Sequence, residues 1–309
     1  MSRGPQNAPQ ALSSGAEVLR PLSGYSGCDV LLMRQGESLF VRKVSGSRDY
    51  NDRLLRQMQE QETFSRYENR PFGVPRIFGS GHLDARFYFD SQYVPSRDLI
   101  SFISDSDHFE IAKMLRKLQE IIVFFQRTPH RTSACSLLDY CRDKVESVAA
   151  LIEVSEGEEL AGFRWILDRL QRSDHAEATL SHADLTLENI LIDASGRLWL
   201  IDFLDSSYSH YWLSIAKTFQ DLEGHWFTLR NHPEPIPASK LLPVRRQWDR
   251  LVAEIDPRYG EFHYLLLALM LFRIVPYAKG RTDGLEERLR QRVRGFLQTQ
   301  IARLEKESR

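Results

Sequence analysis

Between residues 17 and 94, short apolar runs alternate with glycine-containing turns. Runs of this length, bounded by glycine and polar residues, are typical of β-strands. We predict strands around residues 18–22, 29–33, 38–44 and 87–94. Residues 52–66, between the last two strands, have helix-forming composition and an imperfect apolar stripe at helical spacing. The pattern predicts a mainly antiparallel sheet with one helix over residues 17–94.

Beyond residue 95 the apolar positions recur at the spacing of amphipathic helices. The predicted helices cover residues 109–127, 137–154, 160–172, 211–223, 261–275 and 283–306. The sequence YVPSR at 93–97 predicts a hinge, and the proline-rich stretch 230–243 predicts a surface loop. The chain is therefore predicted to be α+β and two-lobed, with a small antiparallel-sheet N-lobe over 17–94 and a larger, mainly helical C-lobe over 95–309.

Composition restricts the classes of partner. Forty-one basic and 42 acidic residues give a net charge of −1, so no long-range field favours nucleic acid or an anionic membrane. An odd number of cysteines, three, argues against a disulfide framework. Residues 1–16 lack the apolar stretch of a secretory signal and have the composition of a disordered tail. We expect a cytoplasmic protein without a nucleic-acid partner, and the oligomeric state stays open.

The longest apolar run, 264–272, is followed by an arginine and a proline. It is too short to span a bilayer. We therefore expect a buried core helix there and no membrane insertion.

A β-hairpin is predicted inside the helical lobe, where two apolar runs flank the turn-forming residues DASG. Asn189 precedes the first strand and Asp202 follows the second, so antiparallel pairing is expected to bring them together. Asp184 lies five residues before Asn189, in the loop leading to the same point. Two carboxylates and an amide oxygen suit Mg²⁺, a hard cation that binds few protein oxygens.

The order of these residues predicts a reaction type. Phosphoryl transfer requires magnesium ligands and a carboxylate that accepts the proton of the attacking hydroxyl. A lone His-x-Asp, such as His182 to Asp184, is more often a turn. Here Asn189 follows the His-x-Asp sequence, and Asp202 follows a hairpin. The residues therefore occur in the same order as in the catalytic and metal-binding segments of kinases.

Two sequences, SHADLTLENILI and LIDFLDS, resemble the catalytic loop and metal loop of the aminoglycoside phosphotransferase and choline kinase superfamily. Upstream, PLSGYSGCDVLLM and FVRKV are similar to its phosphate loop and its third strand with a lysine. Downstream, LIDFLDS, IAKTFQDLEGHW and FRIVPYAKG resemble phosphotransferase-like proteins found with bacterial surface-polysaccharide genes. The resemblance covers nearly all the chain after the tail and implies a protein-kinase-like fold with ATP or GTP and Mg²⁺ as cofactors.

For the catalytic segments, the resemblance implies that Asp184 is the catalytic base and that Asn189 and Asp202 hold magnesium. Two departures from the family pattern concern how this loop is anchored. Ser214 stands where relatives usually place an aspartate, and Ala183 stands where glycine is common. Neither position supplies a metal ligand.

For the nucleotide, the resemblance implies that Lys43 contacts the phosphates. Taken alone, Lys43 has the alternative of an exposed lysine at a strand end. Its helix partner is expected to be Glu60, with Glu62 as a competitor, and both have the alternative of a solvated helix face.

The phosphate loop and the hinge complete the expected nucleotide site. Gly24, Ser26 and Gly27 are expected to let the backbone approach phosphate closely. A Gly-x-x-Gly segment between strands is also a common hairpin turn. The adenine is expected near the hinge, at Gln92 and Val94.

The expected substrate is a small hydroxyl compound such as a sugar, polyol or amino alcohol. A protein kinase would carry glycine after Asp202 and Phe203, where this chain has Leu204. The competing class is a catalytically silent nucleotide-binding protein that keeps the fold.

Other aromatic and polar residues leave further alternatives open. Four aromatic residues could either form a cage for a choline-type cation or pack in the core: Tyr208, Tyr211, Trp212 and Trp226. Four further residues could either contact the substrate or have a structural role: Asp205, His210, Arg273 and Tyr277.

Overall fold

A computed structural model of the chain describes residues 15–22, 27–130, 136–153, 156–170, 178–204, 206, 208–230 and 236–307. The chain divides into two compact units. Unit 1 comprises Met1–Ser96 and Leu191–Asp205, and unit 2 comprises Arg97–Ile190 and Ser206–Arg309. Unit 1 holds the main sheet, and unit 2 is mainly helical. The predicted linear boundary between residues 94 and 95 stays a prediction.

In the described part of unit 1, five strands form an antiparallel sheet in the order β1-β2-β3-β5-β4. Their bounds are β1 Ala16–Pro21, β2 Cys28–Gln35, β3 Ser38–Ser45, β4 Ile77–Leu83 and β5 Arg86–Gln92. A 3-10 turn, Arg48–Tyr50, leads into helix α1, Asn51–Arg66. A short strand β6, Ser96–Asp98, follows β5 along the chain.

The two faces of β3 differ in their chemistry because successive side chains of a strand alternate between faces. Arg42 forms a buried bidentate ion pair with Asp90 of β5, with both N–O distances 2.7 Å. Lys43 projects to the opposite face. It lies across from Phe89 in the strand register, and Phe89 packs against Leu54 of α1.

Residues 190–200 form the predicted hairpin, with β7 at Ile190–Asp193 and β8 at Leu198–Leu200. Its turn is held by Asp193, which accepts hydrogen bonds from the Ser195 backbone N–H at 2.9 Å and from Trp199 Nε1 at 2.8 Å. Hydrogen bonds from the side chains of Ser195 and Trp199 lower the pKa of Asp193 to about 2. The carboxylate therefore stays ionised and keeps the turn closed.

Gly73 joins the hairpin to the rest of unit 1. Its N–H donates to the Leu198 carbonyl at 2.7 Å, and its own carbonyl accepts from the Leu200 N–H at 2.9 Å. A β-carbon at Gly73 would collide with the ring of Trp199. Glycine is therefore required for this close approach of two backbones.

Unit 2 is built from helices. Their bounds are α2 Leu99–Asp105, α3 His108–Arg127, α4 Leu137–Leu151, α5 Glu158–Leu170, α6 Tyr211–Leu222, α7 Trp226–Leu229, α8 Ala238–Ile255, α9 Tyr259–Phe272, α10 Val275–Ala278 and α11 Leu285–Glu307. A 3-10 turn, Leu187–Asn189, precedes the hairpin. Capping boxes at Asp107 and Ser136 fix the starts of α3 and α4.

Two helices form the centre of unit 2. Every residue of α6 is buried, and α9 packs against α6 and α11. The apolar stretch Tyr259–Ala278 is long and apolar enough to cross a bilayer, but 67% of its most apolar window is buried within the protein. That burial fits the predicted core helix.

Several elements were not predicted, among them β4, α2 and α8. Strand β4 has the sequence IFGSGHL, whose glycines weaken a strand pattern. The short helix α2 lies directly after the hinge. The predicted loop over 230–243 is wrong for its second half, because α8 begins at Ala238 and includes Pro243. Proline lacks a backbone N–H, so at this position, the sixth of α8, the helix forgoes one internal hydrogen bond.

Candidate active site

The predicted catalytic loop lies in unit 2, where helix α6 anchors it at three positions. Ser214, Lys217 and Asp221 are spaced i, i+3 and i+7 on α6, so they share one face of the helix. Each contacts a different residue of the segment 182–187. The conformation of the loop is therefore determined by a buried helix.

The Ser214 hydroxyl performs the anchoring that the missing family aspartate was expected to provide. It accepts a hydrogen bond from the His182 backbone N–H at 3.0 Å and donates one to the His182 carbonyl at 3.2 Å. Ser214 and His182 are both fully buried. The departure from the family pattern thus leaves the loop attached to α6.

Asp184, the predicted base, has both carboxylate oxygens engaged. Its Oδ1 lies 2.9 Å from Lys217 Nζ, and its Oδ2 accepts from Asn189 Nδ2 at 3.1 Å. Burial acts to raise the pKa of Asp184, but the charge of Lys217 and its hydrogen bond outweigh that effect and lower it, with help from Arg273 and His182. The carboxylate is therefore ionised and fixed in direction.

Asn189 is oriented by the same loop. Its Nδ2 donates to the Asp184 carbonyl at 2.8 Å as well as to the Asp184 carboxylate. Because the amide nitrogen faces Asp184, the amide oxygen is the atom left for a cation. Asp184 and Asn189 are thus brought together in unit 2, and the expected convergence of Asn189 with Asp202 stays a prediction.

Asp202 belongs to unit 1 and pairs with Lys43 through Oδ1 and Nζ. Its backbone has φ of 63°, in the left-handed region that non-glycine residues seldom adopt. Such conformations concentrate at functional sites. The side chain of Asp202 is 30% exposed and that of Lys43 is 10% exposed. The structure therefore joins two of the predicted nucleotide-site residues in unit 1.

The predicted partner of Lys43 stays a prediction. Glu60 lies on α1, where its charge adds to burial in raising the pKa of Tyr67. The competitor Glu62 lies 3.9 Å from Arg66 and is 41% exposed.

The predicted phosphate loop is only partly described. Gly24 and Ser26 lie outside the described residues. A β-carbon at Gly27 would lie 3.0 Å from the ring of Tyr50, and the Gly27 carbonyl accepts from the Gly46 N–H at 2.8 Å. Tyr50 also lies within electrostatic reach of Asp202. It is a neighbour of the predicted site that the sequence did not indicate.

At the predicted hinge, backbone groups already have partners. The Gln92 N–H donates to the Arg76 carbonyl at 2.8 Å, and the Val94 carbonyl accepts from the Ser96 hydroxyl at 2.8 Å. Val94 is buried and the Gln92 side chain is exposed. Contact of these residues with adenine stays a prediction.

The further pocket candidates differ in position. His210 is buried and caps the start of α6 by accepting from the Trp212 N–H, which is a structural role. Tyr277 is 73% exposed. Arg273 is half-buried and acts electrostatically on Asp184. Asp205 lies outside the described residues.

Two site residues were missed from the sequence, Lys217 and Asp221. Lys217 is 7% exposed and also donates to Gln220 Oε1 at 2.9 Å. Asp221 accepts from the Leu187 N–H at 2.7 Å. Burial raises the pKa of Asp221 to about 7, although the hydrogen bond from Leu187 acts to lower it. Polar residues at i, i+3 and i+7, which share one face of a largely apolar helix, are the signal that could have found them.

No cluster of three or more His, Cys, Asp or Glu that could hold a metal occurs within the described residues. The predicted magnesium ligands, Asn189 and Asp202, are one amide and one carboxylate. Mg²⁺ commonly takes only one or two protein carboxylates and completes its shell with water and phosphate.

Comparison with known proteins identifies the family and the fold of the chain. The family model of the phosphotransferase enzyme family matches residues 17–236, whereas no curated protein matches the sequence. The ADP-bound aminoglycoside phosphotransferase APH(2'')-Ib is 16% identical with a TM-score of 0.58, over 91% of this chain and 92% of that chain.

Two further solved structures are similar. The gentamicin complex of APH(2'')-IIa is 14% identical with a TM-score of 0.61, over 92% of this chain and 91% of that chain. Choline kinase LicA from Streptococcus pneumoniae is 15% identical with a TM-score of 0.55, over 92% and 94%. These likenesses confirm the predicted α+β, two-lobed kinase-like fold. The predicted likeness to proteins of surface-polysaccharide loci stays a prediction.

Proposed function

Because the chain belongs to the phosphotransferase enzyme family, we propose that it transfers the γ-phosphoryl group of ATP or GTP to a hydroxyl of a small molecule, with magnesium as the metal. Sugars, polyols and amino alcohols are the candidate acceptors. The observation that carries the proposal is the ionised Asp184, which Lys217 and Asn189 hold in place. Its loop has catalytic residues in the same order as the catalytic loop of kinases.

Asp184 is proposed to orient the acceptor hydroxyl and to take its proton. In phosphoryl transfer through a loose transition state, positioning and electrostatics contribute more than proton abstraction does. A base with a lowered pKa suits that role, because it remains an acceptor at neutral pH. Lys217 holds the carboxylate in one direction, which reduces the entropy lost on reaching the transition state.

The oxygen donors present fit a magnesium ion. Asn189 directs its amide nitrogen to Asp184, which leaves the amide oxygen available. Asp202 supplies a partly exposed carboxylate. Magnesium bound there would neutralise charge on the nucleotide phosphates. Asn189 and Asp202 are proposed to hold it, and Lys43 beside Asp202 is proposed to bind the phosphates directly.

The remaining nucleotide contacts come from unit 1. Gly27 is proposed to admit a phosphate close to the backbone, with Gly24 and Ser26 of the same loop. Gln92 and Val94 are proposed to lie against the adenine. The presence of ADP in the similar APH(2'')-Ib structure supports a nucleotide site in this fold.

The test measures nucleotide binding and turnover separately. Thermal-shift titration with ATP and GTP, with and without Mg²⁺, is expected to show magnesium-dependent stabilisation. ADP formation with pools of small hydroxyl compounds is then expected to exceed the slow background hydrolysis. Absence of any magnesium-dependent response at millimolar nucleotide would overturn the proposal. Binding without turnover in any pool would favour the silent nucleotide-binding alternative.

A further inference from the structure

Glu188, which directly precedes the proposed magnesium ligand Asn189, forms a bidentate ion pair with Arg230. Arg230 Nη1 donates a hydrogen bond to Glu188 Oε2 at 2.8 Å, and Arg230 Nη2 donates to Glu188 Oε1. All three residues belong to unit 2. Two parallel hydrogen bonds between a guanidinium and a carboxylate fix the orientation of both groups as well as their separation. The side chain next to Asn189 is therefore held in one direction.

The pair is largely removed from solvent on the arginine side. The side chain of Arg230 is 7% exposed and that of Glu188 is 26% exposed. A largely buried ion pair contributes little net stability, because the cost of desolvation offsets the attraction, and apolar residues of similar size often serve as well. The geometry that the pair imposes on the loop explains its presence better than stability does.

The guanidinium of Arg230 comes from a short and tightly packed segment. Arg230 ends α7, where its backbone N–H donates to the Trp226 carbonyl at 3.0 Å. Its guanidinium carbon lies 5.5 Å from the centre of the Trp226 ring. Gly224 connects α6 to α7, and a β-carbon there would lie 2.5 Å from the Gln220 carbonyl oxygen. The connection is thus closely packed, so Arg230 meets the loop from a defined position.

Glu188 is the central residue of the 3-10 turn Leu187–Asn189. Turns of this kind are short and have poorer hydrogen-bond geometry than α-helices, so contacts from outside contribute to their conformation. Asp221 of α6 accepts a hydrogen bond from the Leu187 N–H at 2.7 Å, and Arg230 binds the side chain of the next residue. Two successive positions of the turn are therefore fixed immediately before the residue that carries the amide oxygen.

We infer that Arg230 is a positioning residue for the magnesium site, acting through Glu188 on the direction of the Asn189 amide oxygen. The inference rests on the proposed function, since Asn189 is a magnesium ligand only under that proposal. Replacing a residue that orients a metal ligand without touching the metal typically lowers metal affinity or activity roughly 10- to 100-fold. Arg230 acts through the backbone of a neighbouring residue, so the lower end of that range is expected.

The experiment measures the part of nucleotide binding that depends on the metal. Calorimetric titration gives the Kd for ATP with Mg²⁺ and with EDTA, and the ratio of the two constants expresses the coupling between metal and nucleotide. Arg230→Met is expected to lower that coupling roughly 10-fold and to leave the Kd in EDTA unchanged. A merely structural role would change both constants together or neither of them.

Glu188→Gln is the second variant, because it keeps the size of the side chain and leaves Arg230 in place. It is expected to lower the coupling less than Arg230→Met does, since the amide still accepts one hydrogen bond. The double variant is expected to match Arg230→Met, because both changes remove the same interaction. Arg164→Met, which removes an exposed ion pair with Glu146 between α4 and α5, is the matched control and is expected to leave both constants unchanged.

Asn189→Ala tests the route by which Arg230 acts. In that background Arg230→Met is expected to cause no further loss of coupling, because the residue that Arg230 positions has lost its amide. A further 10-fold loss there would show another route and overturn the inference.

Other results would overturn the inference while leaving the proposed function intact. One is an unchanged coupling in both Arg230→Met and Glu188→Gln, and another is an equal loss of ATP affinity with Mg²⁺ and with EDTA. Should Arg230→Met not fold, Glu188→Gln decides the same question. A wild-type protein whose ATP affinity does not depend on Mg²⁺ overturns the proposed function itself, and the role of Arg230 falls with it.

Discussion

Lys217 and Asp184 form an ion pair in which the lysine is buried and the carboxylate is partly open. The N–O distance is 2.9 Å, and the two side chains are 7% and 28% exposed. Lys217 also donates to Gln220 on its own helix. The cation is thereby held on α6 while one side of the carboxylate remains accessible, which is the geometry that a base acting on a diffusible hydroxyl requires.

Replacing Asp184 by Asn is expected to abolish turnover while nucleotide binding survives. The amide keeps the shape of the side chain but no longer accepts a proton, and general-base catalysis contributes roughly 100- to 10,000-fold. Calorimetric titration with Mg·ATP and an ADP-release assay on the same preparation check this. Near wild-type turnover on the true acceptor would show that Asp184 is not the base.

Replacing Asp202 by Asn is expected to weaken nucleotide binding as well as turnover. The change removes a charge that offsets both Lys43 and the proposed Mg²⁺. Nucleotide affinity is measured with Mg²⁺ and with EDTA. The loss is expected chiefly in the presence of magnesium, and an equal loss in EDTA would indicate a structural role for the Asp202 carboxylate.

Replacing Lys43 by Met is expected to depress turnover strongly and to leave the fold intact. Lys306→Met, at an exposed position of α11, is the control for loss of a lysine. In the same assay Glu60→Gln is expected to reduce turnover less severely than Lys43→Met, and Glu62→Gln to have little effect. The reverse order of the two glutamates would assign the partner of Lys43 to Glu62.

Replacing Ser214 by Ala is expected to destabilise the protein by about 1–3 kcal/mol, because the change leaves buried backbone groups of His182 without their hydrogen bonds. Ser147, whose hydroxyl donates to the Asp143 carbonyl on the exposed side of α4, provides the control Ser147→Ala. Urea unfolding of the three proteins measures the difference. Equal midpoints for the two variants would contradict an anchoring role for Ser214.

Asp221→Asn is expected to change how stability depends on pH. In the folded protein the pKa of Asp221 is raised from 3.8 to about 7. The carboxyl therefore stabilises the fold fully below pH 4, and that contribution is lost as pH rises to about 7.

The Asn variant lacks this titration. Between pH 4 and about pH 7, the free energy of unfolding of the wild type is expected to fall relative to that of the variant, by a few kcal/mol at most. Urea unfolding at pH 4.5 and pH 7.5 measures the difference, with Asp168→Asn, a 74% exposed carboxyl, as the control. A wild-type-to-variant difference that is independent of pH would show that burial does not raise the pKa of Asp221.

The sequence could predict those parts of the site that are local in the chain. Asp184 and Asn189 are five residues apart, and the turn chemistry of Asp193 identifies the hairpin after them. Lys217 and Asp221 contact residues more than 30 positions earlier. Their shared face on α6 can be read from the sequence, but the loop residues that they contact are revealed only by the packing of α6 on the loop.

Strand β4 and the start of α8 were missed because one residue type suggested a different structure. The glycines of β4 resemble a turn, although pairing with β5 stabilises the strand. Pro243 resembles a loop residue, although it lies in the second turn of α8. In both cases tertiary packing outweighs the local preference of the residue.

The burial of α9 has a consequence for how the protein is made. Residues 259–272 leave the ribosome before 285–307, the segment of α11 that covers α9 in the finished molecule. A nascent chain therefore exposes the face of α9 that α11 later covers, and exposed apolar surface of this kind makes a chain prone to aggregation. A product that stops before residue 285 would keep that face of α9 exposed permanently.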